Sequence, residues 1–278
     1  MDTADVTAIE EPRDRALAAN QLIDELQGAI NELSEVRRDA LRELLASGMS
    51  QKTISELLGM SKSRISQLLS AGTRPERTFL GTSRLTVAIG GKLEADKTNP
   101  GGVVSQEAFS AYETLADLAR SVGLDATYEV VPPPGLVHLN RPNLIVLTNP
   151  RLLPFLSQIM EADPHLRYAR DEDGWYLVDR TTDTEYRSPR DHGEAADYAY
   201  IGRLPRPDGK GTFLYLAGTH APGTLGAAHF VSDNITDLYR EVKNRRFSVL
   251  ITCHYDPKDP EKIIATERLT PIYRHDGA

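Results

Sequence analysis

The chain has 278 residues, enough for two domains of ordinary size. Its composition, 40% hydrophobic and 26% charged, is typical of a globular protein. No apolar run approaches the ~18 residues of a membrane span, and no basic-then-apolar leader opens the chain, so we expect a cytoplasmic protein with no membrane partner. Cys253 is the only cysteine, which excludes an internal disulfide and a zinc site built on cysteines.

The net charge of −8 is unevenly distributed along the chain. Residues 35–84 carry nine basic and five acidic side chains, so this segment is positive within an acidic protein. Salt screens exposed charges beyond ~8 Å at physiological ionic strength, and attraction to phosphate is therefore local. The pattern is compatible with nucleic-acid binding by this segment alone.

A short polar tail precedes a long helical pattern. Residues 1–12 are acidic and weakly apolar, which predicts a disordered tail. Residues 13–46 contain no proline, and their apolar residues recur at alternating steps of three and four over three heptads: Ala19, Leu22, Leu26, Ala29, Leu33, Val36 and Ala40. Two interpretations stay open: an amphipathic helix packed on its own domain, or a helix that joins two copies in a homodimer.

Residues 49–69, MSQKTISELLGMSKSRISQLL, have the spacing of a helix-turn-helix. The pattern places Ile54, Leu57 and Leu58 on one face of a first helix, and Ile65, Leu68 and Leu69 on one face of a second. Between them, Gly59-Met60-Ser61 supplies a residue that tolerates positive φ, an apolar plug and an N-cap. We therefore predict a helical domain over residues 13–72.

This segment resembles the helix-turn-helix of bacterial transcription regulators, including phage-repressor-like proteins and the region of sigma factors that reads promoter DNA. Ser55 stands where these families usually have alanine at the helix contact, and serine is small enough to fit. The resemblance implies double-stranded DNA as a partner. It implies base contacts from one set of side chains, Lys62, Ser63, Ser66 and Gln67, and phosphate contacts from another, Gln51, Lys52, Thr53 and Arg64. The alternative is a helical hairpin inside a larger core.

Residues 73–83 are rich in turn-forming residues and predict a linker, followed by an α/β domain over residues 84–278. We predict strands at 84–89, 126–131, 143–148, 198–204, 212–217, 247–253 and 263–273. Helices are predicted at 105–122, 149–162, 224–230 and 235–244, with hairpins in 168–187. The fold class is thus α + α/β. An all-α helix-turn-helix domain precedes a Rossmann-like α/β domain, with a mainly parallel sheet covered on both faces and antiparallel hairpin insertions.

Several predicted strands end in small or polar residues, where open α/β sheets bind ligands. The segment Gly218–Gly226 follows a strand and opens a helix, so its amides favour an anion. Candidate ligand-binding residues are Gly90, Gly91, Asn149, Arg151, Gly218, Thr219, His220, Gly223, Thr224 and Gly226. The expected ligand is phosphate-bearing or nucleotide-like. The loop has neither the G-x-G-x-x-G nor the P-loop pattern, and a tight structural turn is the alternative.

The remaining reactive residues predict no catalytic or metal site. His220, His229 and His254 do not form a ligand pair at helical spacing, and Ser232-Asp233 has no G-x-S-x-G elbow. Cys253 next to His254 is a possible nucleophile, although a buried, inert thiol is the commoner case. We expect no firmly bound cofactor.

Together these observations predict a dimeric, sequence-specific transcription regulator whose C-terminal domain senses a small ligand. The alternative is a nucleotide- or NAD-processing Rossmann-like enzyme that its helix-turn-helix tethers to DNA. An α/β domain that serves only for oligomerisation is a third possibility.

Overall fold

The computed structural model describes residues 2–70, 75–81, 84–94, 98 and 100–275. The chain divides into two compact units, Met1–Pro75 and Glu76–Ala278, and each is described by itself. None of the helices in these ranges is both long and apolar enough to cross a membrane.

The N-terminal tail contains a short helix where the sequence predicted disorder. Helix α1 (Thr3–Thr7) is held by a capping box: Asp2 accepts hydrogen bonds from the amides of Ala4 and Asp5, and the Asp5 side chain accepts one from the amide of Asp2. These local bonds satisfy amides that a short helix otherwise leaves to solvent. Val6 on this helix is buried.

Three further helices form the helix-turn-helix unit. They are α2 (Pro12–Ala46), α3 (Gln51–Leu58) and α4 (Lys62–Ser70). Leu41, Ile54 and Ile65, one from each helix, make a small buried core. The predicted apolar face of α3 is wrong in part, because Leu57 and Leu58 are 64% and 41% exposed. With eight residues, α3 turns only Ile54 fully toward its neighbours.

Helix α2 carries exposed apolar side chains over its middle. Leu26, Leu33 and Val36 of the predicted seam are each more than half exposed, as are the neighbouring Ile23 and Ile30. Leu41, near the C-terminal end of α2, contributes to the core shared with α3 and α4. The stripe is therefore open to solvent in a single copy of the chain.

The predicted linker contains a helix. Residues 71–74 and 82–83 lie outside the described part of the chain, but between them α5 (Pro75–Leu80) forms one and a half turns. Phe79 and Leu80 are buried in the core of the second unit, and Arg203 donates a hydrogen bond to the carbonyl of Phe79 at 2.6 Å. The burial of Phe79 and Leu80 therefore anchors α5 to the second unit, although the surrounding sequence is rich in turn-forming residues.

The second unit is built on an eight-stranded mixed sheet. Its strands are β1 (Leu85–Gly90), β4 (Ala126–Val131), β5 (Leu144–Leu147), β9 (Ala196–Pro205), β10 (Thr212–Gly218), β11 (Phe247–Asp256), β12 (Asp259–Arg268) and β13 (Tyr273–Arg274). They lie in the order β12-β11-β9-β10-β5-β1-β4, with β13 also paired to β11. Strands β4, β1, β5 and β10 are parallel neighbours, whereas β9, β11, β12 and β13 pair antiparallel. The antiparallel part is as large as the parallel part, so the sheet is not mainly parallel.

Different elements cover the two faces of this sheet. Helices α6 (Gln106–Ser121) and α8 (Ala221–Val242) pack together on one face with α5. The other face carries α7 (Leu156–Met160) and a three-stranded antiparallel sheet, which is formed by β6 (Leu166–Asp171), β7 (Gly174–Asp179) and β8 (Thr184–Tyr186). A two-stranded ribbon, β2 (Lys92–Leu93) with β3 (Gly102–Val103), follows β1. Residues along the central strands are buried almost continuously, as expected for a sheet that is covered on both faces.

Three predicted helices differ from the observed ones. The segments 224–230 and 235–244 belong to the single helix α8, because the polar run Ser232-Asp233-Asn234 lies on its more exposed side without interrupting it. The predicted helix 149–162 is reduced to the five residues of α7. Asn149 and Pro150 lie in the turn before it, so they do not begin a helix.

Candidate functional site

The turn of the helix-turn-helix is fixed by glycine geometry and one hydroxyl. Gly59 ends α3 in the left-handed conformation, with φ of +63°, which a side chain would disfavour. The amide of Met60 donates to the carbonyl of Ser55 at 3.1 Å, and the Ser55 hydroxyl donates to the carbonyl of Met60. Serine in place of the usual alanine therefore adds a hydrogen bond across the turn.

Helix α4 starts at an N-cap and presents a polar face. The Ser61 hydroxyl accepts a hydrogen bond from the amide of Arg64 at 3.1 Å. Ile65 is fully buried beneath the helix. The five predicted contact residues on this helix are all exposed: Lys62, Ser63, Arg64, Ser66 and Gln67.

The start of α3 supplies the second set of predicted contacts. Ser50 caps the helix, accepting from the amide of Thr53 at 3.1 Å, and its hydroxyl lies 2.8 Å from that of Thr53. Gln51, Lys52 and Thr53 are exposed. Within the described ranges, neither Lys52 nor the two cations of α4 form an ion pair. The helix-turn-helix thus presents three uncompensated positive charges beside two helix N-termini.

In the second unit, the start of α8 is closed by a buried carboxylate. Asp197 on β9 is fully buried, and its Oδ2 accepts the amides of His220 and Gly223 at 2.8 and 2.9 Å. Its Oδ1 accepts the Ser188 hydroxyl at 2.6 Å and the amide of Tyr198 at 2.9 Å. Burial raises the pKa of Asp197, against these hydrogen bonds and the nearby His220, which lower it. The amides predicted to hold a ligand anion already hold this carboxylate.

The glycines of this loop are required by close packing. A Cβ on Gly218 would lie 2.3 Å from the amide nitrogen of Thr224, and one on Gly223 would lie 2.4 Å from Oδ2 of Asp197. A Cβ on Gly226 would lie 2.3 Å from Cβ of Cys253. Gly90 likewise leaves room for the Thr148 hydroxyl. At these positions the turn alternative explains the glycines.

Two polar residues of the predicted ligand set also have structural partners. Thr224 Oγ1 accepts the amide of Gly218 at 2.9 Å. The Asn149 amide group donates to the carbonyls of Gly218 and Thr219 at 3.0 and 3.3 Å. These bonds tie the loop after β5 to the loop after β10. Gly91, buried after β1, donates its amide to the carbonyl of Val131 at 2.9 Å.

Three predicted residues, Arg151, Thr219 and His220, do line an open cleft at the carboxyl ends of β5 and β10. The opposite wall is the turn between β6 and β7, which contributes Arg170 and Trp175. Asp191 completes one end, where it lies 2.8 Å from Nε2 of His220. Arg170, Trp175 and Asp191 were not predicted from the sequence, because the fold of the hairpin over the strand ends is not a local property. The single tryptophan beside the Asp173-Gly174 turn was the available signal.

The remaining candidate residues do not support nucleophilic chemistry. Cys253 is fully buried with its thiol directed to the carbonyl of Pro222 at 3.5 Å, and burial raises the pKa of the thiol to about 12. His254 next to it is exposed. Desolvation lowers the pKa of the half-buried His229. Among the residues that the structure describes, no three histidine, cysteine, aspartate or glutamate side chains group as metal ligands do.

Comparison with known proteins concerns the N-terminal unit. No curated protein and no solved structure is significantly similar to this chain. Residues 23–73 match the family model "Sigma-70, region 4". The matched segment includes the C-terminal half of α2, all of α3 and α4, and the turn at Gly59. Residues 23–73 are thus similar to sigma-70 region 4, a helix-turn-helix DNA-binding motif, in agreement with the resemblance found for residues 49–69.

Proposed function

We propose that this protein is a sequence-specific, DNA-binding regulator of transcription that acts in the cytoplasm. The observation that carries the proposal is the exposed polar face of α4, next to the uncompensated cations of α3 and α4. An interior hairpin would have to desolvate the three cations Lys52, Lys62 and Arg64, which is costly. A DNA-reading helix requires them at its surface.

In the proposed complex the N-terminal end of α4 enters the major groove. Lys62, Ser63, Ser66 and Gln67 reach base edges, where amide and hydroxyl groups pair with purine and pyrimidine donors and acceptors. The phosphates are held from both helix starts by Gln51, Lys52, Thr53 and Arg64, so that the backbone contacts fix the register. The surrounding acidic charge of the chain reduces binding to unrelated DNA.

The active form in this proposal is a homodimer joined through α2. One helix-turn-helix reads few base pairs, and two-fold regulators bind paired half-sites. The exposed stripe of Ile23, Leu26, Ile30, Leu33 and Val36 is the surface for the second copy, because its spacing runs over successive heptads. Light scattering tests this: Leu33→Asp should give monomers, whereas Gln21→Asp, an exposed position on the same helix, should leave the dimer intact. A monomeric wild-type protein would contradict the dimer.

The α/β unit in this proposal senses a small phosphate-bearing or nucleotide-like ligand. Support comes from the parallel strands β5 and β10, because an open cleft lies at their carboxyl ends, where Rossmann-like domains bind ligands. A ligand that binds more tightly to one arrangement of the dimer increases the population of that arrangement. The equilibrium between the two arrangements changes by at most the difference between the two binding free energies, and DNA binding changes with it.

DNA binding is tested by selecting a duplex from a random pool and measuring gel-shift affinities. Gln67→Ala should weaken binding to the selected site and relax discrimination at one base pair, by about 1–3 kcal/mol. Lys52→Ala should weaken binding to all duplexes alike. Arg13→Ala, which removes one exposed charge from the far end of α2, is the matched control. If neither variant differs from that control, the groove arrangement is wrong.

A further inference from the structure

The cleft at the carboxyl ends of β5 and β10 has the size of a small-molecule site. Its volume is about 420 Å³, within the range of ~300–1,000 Å³ usual for ligand pockets. The loops after β5 and β10 form one wall and the β6–β7 turn the other. Both walls are elements of the second unit, so the cleft is a property of that unit alone.

Two arginines on opposite walls of the cleft have no acidic partner. Arg151 follows β5 and Arg170 lies on β6, and both are exposed. Across the described ranges neither forms an ion pair, although Arg180 and Arg187 nearby pair with Glu161 and Asp171. A planar guanidinium without a carboxylate is suited to bind phosphate through two parallel hydrogen bonds.

The same cleft contains the only tryptophan of the chain. Trp175 is partly buried, and the guanidinium of Arg170 lies 5.8 Å from its ring centroid. An indole ring at the edge of an open cleft offers a stacking surface that planar bases use irrespective of their identity. The lining thus combines a planar apolar surface with cations.

Two carboxylates, those of Asp191 and Asp173, also line the cleft. Asp191 is held by Nε2 of His220 at 2.8 Å, and Asp173 lies at the hairpin turn. Carboxylates of this kind accept hydrogen bonds from the hydroxyl or amino groups of a ligand. They also disfavour a ligand that is anionic throughout, such as a polyphosphate.

Two buried polar atoms next to the cleft have no protein partner. Thr148 Oγ1 and Asn149 Oδ1, in side chains only 4% and 7% exposed, form no hydrogen bond in the described structure. Both residues line a small cavity of about 30 Å³, and Arg151 lines this cavity as well as the cleft. Buried polar atoms are nearly always hydrogen-bonded, so an unpaired pair points to a missing ligand group or water.

We infer that this cleft binds a mononucleotide, with its phosphate on Arg151, its base against Trp175 and its sugar hydroxyls toward Asp191. The inference deepens the proposed function and rests on it for the sensing role. It also moves the ligand away from the start of α8, where Asp197 occupies the amides. Arg151 supplies affinity for the phosphate, and Trp175 supplies affinity for the base.

Trp175 provides the readout, because it is the only tryptophan. Its fluorescence is recorded in the full-length protein during titration with the adenine, guanine, cytosine and uracil nucleoside monophosphates up to about 1 mM. Adenosine and inorganic phosphate are separate arms. We expect quenching by at least one monophosphate, weaker quenching by adenosine, and displacement of the nucleotide by excess phosphate.

Variants locate the site. Arg151→Ala should weaken nucleotide binding by about tenfold or more, since a charge-assisted hydrogen bond is lost, while adenosine binding stays unchanged. Arg167→Ala is the matched control, because Arg167 is an exposed cation on β6 that does not line the cleft. Trp175→Phe removes the signal, so its nucleotide affinity is measured by calorimetry and should fall less than that of Arg151→Ala. An unchanged emission spectrum of Trp175 verifies that the arginine variants fold.

Quenching by no monophosphate, or equal nucleotide affinity in Arg151→Ala and the wild type, overturns the inference. Gel shifts on the same preparations separate this failure from that of the proposed function. A protein that binds its selected duplex but no nucleotide overturns the cleft inference alone. One that binds the nucleotide but no duplex supports the site and overturns the regulator.

Discussion

Two helix starts in this protein have opposite surroundings. Helix α4 begins after Ser61 with its first side chains in solvent, and its two cations form no ion pair with any described residue. Helix α8 begins after His220, and the buried carboxylate of Asp197 takes two of its amides. A helix N-terminus attracts anions in both cases. The difference shows that such an end binds an external anion only when the protein has not already supplied one.

The largest expected effect concerns the start of α8, against which Cys253 packs. Its pKa of about 12, raised by burial, reduces the thiolate fraction near neutral pH by about three orders of magnitude relative to an ordinary thiol. A thiol reagent should therefore label Cys253 at least about a hundredfold more slowly in the native protein than in the urea-unfolded protein. Similar rates in the two states would show that this end of α8 opens readily.

Removing the carboxylate should have the next largest effect. Asp197→Ala leaves three amides and the Ser188 hydroxyl without their acceptor in a buried site. The free energy of unfolding should fall by about 3 kcal/mol or more. Urea unfolding followed by Trp175 fluorescence measures this in the second unit. Asp117→Ala, which removes an exposed ion pair with Arg120, should change stability by only about 0.5 kcal/mol; equal losses would contradict the capping role.

A methyl group in the closed loop should cost less. In Gly226→Ala the new Cβ would lie 2.3 Å from Cβ of Cys253, and the packing must shift at a cost of about 1–3 kcal/mol. The same urea experiment measures the loss. Gly102→Ala meets nothing within 4 Å and should be close to neutral. If Gly226→Ala is as stable as Gly102→Ala, packing does not require a glycine at position 226, and Gly226 remains a candidate for ligand binding.

The smallest expected effect concerns the start of α4. Ser61→Ala removes the cap of α4 and should destabilise this helix by about 1 kcal/mol. Hydrogen exchange of the α4 amides in the full chain should quicken by about fivefold, since local opening becomes easier by that amount. Ser63→Ala, exposed on the same helix, should leave exchange unchanged. Equal exchange in the two variants would mean that Ser61 does not cap α4.

The local features of both units could be predicted from sequence. Apolar spacing, Gly59 and Ser61 located α3 and α4 within one or two residues, and apolar runs located most central strands. These signals arise between residues that are close along the chain. The exposure of Leu57 and Leu58 was missed, because three apolar residues on a short helix do not reveal which of them has a neighbour.

The features that decide the second site are non-local. Asp197 on β9 accepts a hydrogen bond from the amide of Gly223, which is 26 positions away along the chain. The sequence of the loop contains no signal of this contact. The hairpin that places Arg170 and Trp175 over the strand ends depends on the packing of the second sheet. The glycines were therefore predicted as a ligand cradle although packing alone requires them. In physical terms, sequence patterns report periodicity and turn geometry, but they do not report which donors are already satisfied.

The salt dependence of DNA binding tests the central claim most directly, namely that the open ends of α3 and α4 hold phosphate. Affinity for the selected duplex is measured over a range of salt concentrations for the wild type, Lys52→Ala and Arg13→Ala. Each phosphate contact contributes about 0.9 to the slope of log affinity against log salt. We predict that the slope falls by about one in Lys52→Ala and stays unchanged in Arg13→Ala. An unchanged slope in Lys52→Ala, or an equal loss in both variants, would contradict the account.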